Sequence, residues 1–253
     1  MKQICLYIFY SLLLGACTSK SRHIEAQNKQ DSLCIKPTDT IIPFSGLWIS
    51  KAYVDSLKIN KSPRKSQHLG WQILFPKKTG DTALVGNLHD AGLDEIIKIH
   101  GDYMLGGIHG RRVNLISPQK LMVDSEIYVP CSDWIQNNEY SSKIIESVLF
   151  AGRYLNSNKR DTAKFTSNGK IIGLSSFTSY QVMEDYYDEG RNIDQVIFTM
   201  NDGKSTYFAF KFLGDTLKLY DLKCLQYDSS SNQCAEVTFG KIRYTLIKST
   251  PLE

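Results

Sequence analysis

The chain has 253 residues, of which 42% are hydrophobic, 22% charged and 11% aromatic, with a formal net charge of +4. This composition excludes disordered, collagen-like and coiled-coil chains, and the length suits one large domain or two small ones. So small a charge, spread along the chain, gives no electrostatic case for nucleic acid.

At the N-terminus, Lys2 supplies a short positive region and Ile4 to Leu14 an apolar run of 11 residues. Eleven helical residues reach about 16 Å, against a hydrocarbon core of about 30 Å, so the run reads as a processed signal and not a membrane span. Leu14-Gly15-Ala16-Cys17 resembles the bacterial lipobox. That resemblance implies a signal peptide over residues 1–16, cleavage before Cys17, and palmitate-type acyl chains on the Cys17 thiol and amine that anchor the chain to a membrane. Residues 17–43, rich in Ser, Lys, Gln, Asp and Thr, read as a lipidated flexible tether. Thr18 follows the cysteine where inner-membrane retention would call for Asp. By resemblance to lipoprotein sorting in diderm bacteria, this implies the outer membrane, facing the periplasm.

From Phe44 onward the pattern is short strands separated by turn residues. Lys51 to Asn60 predicts the one early helix, with Ser50 as N-cap, Tyr53 and Leu57 on one face, and Pro63 as the stop. Trp71 to Phe75, Thr82 to Leu88, Asp94 to His100 and Tyr103 to Ile108 read as strands, with Gly101-Asp102 as the two-residue turn of the last pair. Ser132 to Leu149 reads as a helical or irregular bridge. Beyond it, Asn168-Gly169 turns Ala163–Thr166 into Lys170–Leu174, and Asn201–Lys204 joins Val196–Met200 to Ser205–Leu213. In that last strand Thr206, Phe208, Phe210 and Phe212 share a face. A Gly214-Asp215 turn pairs Leu213 with Thr216, Phe212 with Leu217 and Phe210 with Leu219, which puts both apolar faces on one side.

Two short matches suggest an internal duplication. Phe44-Ser-Gly-Leu-Trp48 recurs as Phe150-Ala-Gly-Arg-Tyr154 at an offset of 106, and Lys98-Ile-His-Gly-Asp102 as Lys211-Phe-Leu-Gly-Asp215 at an offset of 113. Cutting at Phe150 gives halves of residues 44–149 and 150–253. The expected fold class is all-β, an antiparallel meander forming two tandem barrels of about eight strands each; one large barrel or sandwich is the alternative.

Gly46-Leu47-Trp48, opening the first strand of such a meander, resembles the opener of the lipocalin and wider calycin families, with Gly152-Arg153-Tyr154 as a weaker copy. In those families the ring packs under an arginine of the last strand. The resemblance therefore implies Arg243 over Tyr154 and, more loosely, Arg112 over Trp48. Asn168 to Leu174, together with Tyr207 to Leu217, is similar to lipocalin-like lipoproteins of Bacteroidetes. That likeness implies a fold and an address, and no reaction.

Of six cysteines, Cys5 leaves with the leader and Cys17 takes lipid. An exported chain meets an oxidising compartment. Cys224 and Cys234 flank a polar loop between two strand patterns, which predicts a cross-hairpin disulfide. Two reduced, packed cysteines are the alternative for that pair, and a Cys34–Cys131 bridge would staple the tether to the body. No Cys-x-x-Cys occurs, so neither a redox motif nor a zinc knuckle is indicated.

Four of the five histidines lie between positions 68 and 109, but the predicted hairpin pairs His109 with Asp94 and leaves His100 beside the turn, too far apart to share an ion. In the acidic loop from Glu184 to Asp194, Asp188, Asn192 and Asp194 are hard oxygen ligands of the kind calcium takes, although EF-hand spacing is missing and a solvated hairpin loop is the plainer reading. The chain has no Gly-x-Ser-x-Gly, no phosphate-cradling glycine loop and no His-Glu-x-x-His. No catalytic residue and no cofactor is therefore named. The expectation is a non-catalytic, lipid-anchored envelope lipoprotein whose barrels bind a small apolar ligand or which docks an envelope partner. A purely structural lipoprotein with filled barrels is the second reading, and a hydrolase without a visible motif the third.

Overall fold

The computed structural model describes residues 40–131 and 143–249, apart from 108, 158–160, 175, 188–191 and 231. The signal peptide, Cys17, Cys34 and most of the tether lie outside the described residues. The first half runs β1 (Gly46–Ser50), α1 (Lys51–Asn60), α2 (Pro63–Ser66), β2 (Gln72–Phe75), β3 (Thr82–Gly86), β4 (Ala91–Ile99), β5 (Asp102–Leu105), β6 (Arg111–Ser117), β7 (Lys120–Val123) and β8 (Glu126–Pro130). Each strand pairs antiparallel with the next, and β8 returns to pair with β1, so the barrel closes.

A π-helical turn, Glu146–Phe150, leads into the second half. Its strands are β9 (Gly152–Asn156), β10 (Thr162–Phe165), β11 (Ile171–Ile172), β12 (Phe177–Val182), β13 (Gln195–Met200), β14 (Ser205–Leu213), β15 (Thr216–Asp228) and β16 (Gln233–Lys248). Here β16 returns to β9, and a single bridge, Lys170 to Ser179, spans the gap between β11 and β12. The architecture is two tandem eight-stranded antiparallel barrels, one closed and one nearly closed, as the strand pattern predicts. Of the bridge from Ser132 to Leu149, residues 132–142 lie outside the described residues, and the remainder is helical from Ile144.

The β14–β15 hairpin has the predicted register: Phe210 opposite Leu219, Phe212 opposite Leu217, Leu213 opposite Thr216. Gly214 takes the positive φ (58°) that the turn demands. The β4–β5 hairpin differs by one turn position. Ile99 pairs with Asp102, so His100 and Gly101 form the turn, both at positive φ (50° and 96°). The core sets this register: it places buried Ile96 opposite buried Leu105, whereas the predicted turn would set Lys98 there. Strand β5 accordingly ends at Leu105, and Gly106 and Gly107 turn the chain at positive φ.

Helix α1 covers the predicted residues, but its ends are built differently. Ser50 occupies the N-cap position without a side-chain capping bond. The helix stops at Lys61, which adopts the left-handed conformation and donates its N–H to the Leu57 carbonyl. Pro63 instead opens α2, where its missing N–H costs nothing, and Ser62 Oγ caps that turn by accepting from Lys65 N at 3.2 Å.

Of the two internal matches, one is structural. Gly46 and Gly152 both open their barrels at positive φ (118° and 150°). Trp48 Nε1 donates to the Phe44 carbonyl at 2.8 Å, and Tyr154 Oη donates to the Phe150 carbonyl at 2.8 Å. The Phe-x-Gly-x-aromatic segment is thus one local device used twice, a buried ring tied to the backbone four residues upstream. The Lys98 and Lys211 segments are not equivalent: the first turns between the fourth and fifth strands of its barrel, the second between the sixth and seventh.

Both interiors are filled by the chain's own side chains. Trp48, Ile73, Phe75, Ile96 and Tyr128 pack the first, and a mesh of Phe150, Phe165, Tyr180, Phe198, Phe208 and Phe210 packs the second. The halves share core material. Ile49 and the α1 residues Tyr53, Val54 and Leu57 belong to the second barrel's cluster, so a helix from the first half completes the core of the second.

Candidate functional site

Cys224 and Cys234 face each other across the β15–β16 hairpin with their sulfurs 2.03 Å apart, a disulfide distance. Cys17 and Cys34 lie outside the described residues, so the anchor and the Cys34–Cys131 pairing do too. Asp188 also lies outside them. The other two calcium candidates serve the fold: the Asn192 amide donates to the Val237 carbonyl at 2.8 Å and accepts from Val237 N at 3.0 Å, while Asp194 Oδ1 accepts from Arg64 N at 2.9 Å. Among the described residues no three His, Cys, Asp or Glu side chains gather as metal ligands. His100 lies in the turn before β5 and His109 in the loop after it, so the expected pairing of His109 with Asp94 does not occur.

Arg243 does not cover Tyr154. It projects at a register shift of β16, half-exposed, with Nε on Asp221 Oδ1 at 2.6 Å. Strand β16 pairs with β9 only from Leu246 to Lys248, and this places Lys248 opposite Tyr154, its Nζ 5.9 Å from the ring centroid. Gly152 clears the path, since a Cβ there would lie 2.6 Å from Lys248 Cε. Arg112 is likewise elsewhere: it pairs with Asp102 at 3.4 Å, whereas Trp48 sits between Ile73 and Pro130.

Apart from these packed interiors, the described residues form a cleft at the surface. Where β1 runs into α1, a cleft of about 430 Å³ opens at the end of the first barrel. The α1 side contributes Lys51 and Asp55, which form an ion pair. The turn before β2 contributes His68 and Trp71, and the β7–β8 turn contributes Ser125 and Glu126. Trp71 is 43% exposed although it shares strand parity with buried Ile73 and Phe75, because it stands one residue beyond the barrel's rim. Its backbone is fixed on both sides: its N–H donates to Leu69 O at 2.9 Å and its carbonyl accepts from Ser50 N at 2.8 Å. Glu126 Oε2 accepts from the Tyr128 hydroxyl at 2.9 Å. Burial raises the Tyr128 hydroxyl above the usual tyrosine range, with the Glu126 hydrogen bond adding to the effect. Strand alternation puts Trp71 on the same face as Ile73 and Phe75; only the position of the barrel's end brings it to the surface.

A second unusual constellation lies at the joint between α1 and the second barrel. Glu146, in the π-helical turn, is fully buried. Its Oε1 accepts from Val182 N at 3.0 Å and lies 3.6 Å from Lys143 Nζ, while its Oε2 and the buried Tyr53 hydroxyl have no hydrogen-bond partner among the described residues. Loss of solvent raises Glu146 above the usual carboxylate range, against the pull of Lys143. Glu184, partly open at its surface, is raised further, by desolvation first and then by Glu146. His89 Nδ1 meets Asp185 Oδ2 at 2.8 Å, linking the β3–β4 loop to the second barrel's 183–194 loop.

Among the described residues no helix is long and apolar enough to cross a membrane. No family model, no curated protein and no solved structure matches the chain.

Proposed function

We propose that this is a lipocalin-like, lipid-anchored outer-membrane lipoprotein that does no chemistry and works by docking an envelope partner against its barrels. Between partner docking and a ligand held in a barrel, the observation that favours docking is the packing of both interiors, whose aromatic residues are in contact with one another, a filling that a purely structural lipoprotein shares. A small apolar ligand held inside a barrel is correspondingly disfavoured. The anchor rests on the lipobox-like Leu14–Cys17 run, and acyl chains on one residue hold a protein stably where a single chain binds only marginally.

Two measurements test this. Replacing Cys17 by Ser should move the protein from the membrane pellet to the soluble fraction; retention in the pellet would remove the anchor. Native mass spectrometry of the intact chain released from detergent should give the lipidated polypeptide mass alone. A reproducible extra mass of lipid size would restore the lumenal-ligand reading.

A further inference from the structure

We propose that the cleft at the α1 end of the first barrel is a carbohydrate-binding site. This deepens the docking reading by naming the chemistry of the partner, a neutral glycan, and it rests on that reading. The volume, about 430 Å³, falls within the range of small-molecule sites, and the cleft is open to solvent, as a site for a unit of a longer chain must be. Trp71 is among the side chains that line it, half-exposed and so able to offer apolar ring surface, and two backbone hydrogen bonds at 2.8 and 2.9 Å hold the residue's main chain.

The rim supplies hydrogen-bonding groups of both kinds. Of the lining side chains, Asp55 and Glu126 can accept, Lys51 can donate, and His68 can do either. A pyranose ring presents the complement, a face of C–H groups for the indole and adjacent hydroxyls that donate and accept together. The rival ligands fit less well. An apolar molecule would strip water from the carboxylates without replacing it. A phosphate would meet two carboxylates against a single ammonium. An organic cation would meet the Lys51 ammonium, which already neutralises Asp55, whereas that ion pair keeps lone pairs and N–H groups for neutral hydroxyls.

The test uses the full lipidated chain in a polyoxyethylene detergent, so that no sugar headgroup competes. Chitotriose, maltotriose and laminaritriose are titrated by saturation-transfer NMR, with choline and inorganic phosphate as the cationic and anionic probes. At least one trisaccharide should bind saturably below about 10 mM, and Trp71→Ala should weaken it by about tenfold or more. Glu126→Gln, a near-isosteric change at an exposed position, should weaken it several-fold and guards against a folding defect in the tryptophan variant. Three results would overturn the inference: no saturable trisaccharide binding, binding indifferent to both substitutions, or choline or phosphate binding in place of sugar. Cross-linking in intact envelopes separates this from the parent reading. A protein cross-link found together with no saturable sugar binding leaves docking standing and sinks the sugar site, whereas absence of any partner, sugar or protein, sinks both.

Discussion

A carboxylic acid with no surface of its own is a sensitive reporter of its surroundings, and Glu146 is that residue here. One oxygen is held by Val182 N–H and faces Lys143, the other has no hydrogen-bond partner among the described residues, and burial raises its proton affinity. Because the folded state binds this proton more tightly than the unfolded chain does, its contribution to stability is complete below the ordinary carboxylate pKa of about 4.3 and is lost as pH rises through the raised folded value. Glu184 acts in the same direction. Glu146→Gln should therefore flatten the dependence of melting temperature on pH between neutrality and the carboxylate range, improving relative to wild type as pH rises. Thermal melts across that window check this; parallel curves for the two proteins would contradict it. Nothing in the sequence marks Glu146. A glutamate beside two isoleucines in a helical pattern reads as a solvated position, and only the packing of α1 across it removes the water.

At the scale of an element, the β15–β16 hairpin outgrows its barrel. Strand β14 accompanies β15 only as far as Asp221, and β9 meets β16 only over its last residues, so the distal part is a two-stranded ribbon. Such ribbons are marginally stable in water. This one is tied near its tip by Cys224–Cys234, and at Val237 by the two-way amide bond from Asn192. Reducing the disulfide should speed amide exchange from Lys223 to Val237 while leaving β13 and β14 protected, as hydrogen-exchange mass spectrometry would show. Equal acceleration in the barrel strands would mean that the ribbon is not an independent unit. The cysteine pair is legible in the sequence because both residues flank a polar turn between apolar strands. The register shifts that aim Arg243 at Asp221 are not, because a bulge changes which side chains face each other without changing the strand pattern around it.

For the whole molecule, the shared helix is the controlling feature. Residues 37–253 form one compact unit, and α1 gives Tyr53, Val54 and Leu57 to a core otherwise built by the second barrel. Unfolding either half alone would expose that face, so a single calorimetric transition is expected. Leu57→Ala, at a fully buried site, should lower stability by about 2–5 kcal/mol while keeping that transition single. Two resolved transitions in wild-type protein would show that the barrels unfold independently of the helix.

By itself, the sequence determined the all-β class, the strands apart from β6–β8 and β12, the span of α1, the register of β14–β15 and the paired Phe-x-Gly-x-aromatic openers. Each of these follows from interactions within a few residues: alternation along a strand, a turn that needs positive φ, a ring tied to a carbonyl four residues back. Tertiary structure alone decided that the barrels are filled, that Lys248 rather than Arg243 reaches Tyr154, that the β4–β5 turn falls on His100-Gly101, and that Trp71 emerges at a rim beside two carboxylates. These depend on which strands close the barrel and where its core ends. Except at the β4–β5 turn, where the burial of Ile96 and Leu105 selects between two local registers, partners tens of residues apart in sequence fix those contacts, and no local spacing encodes them.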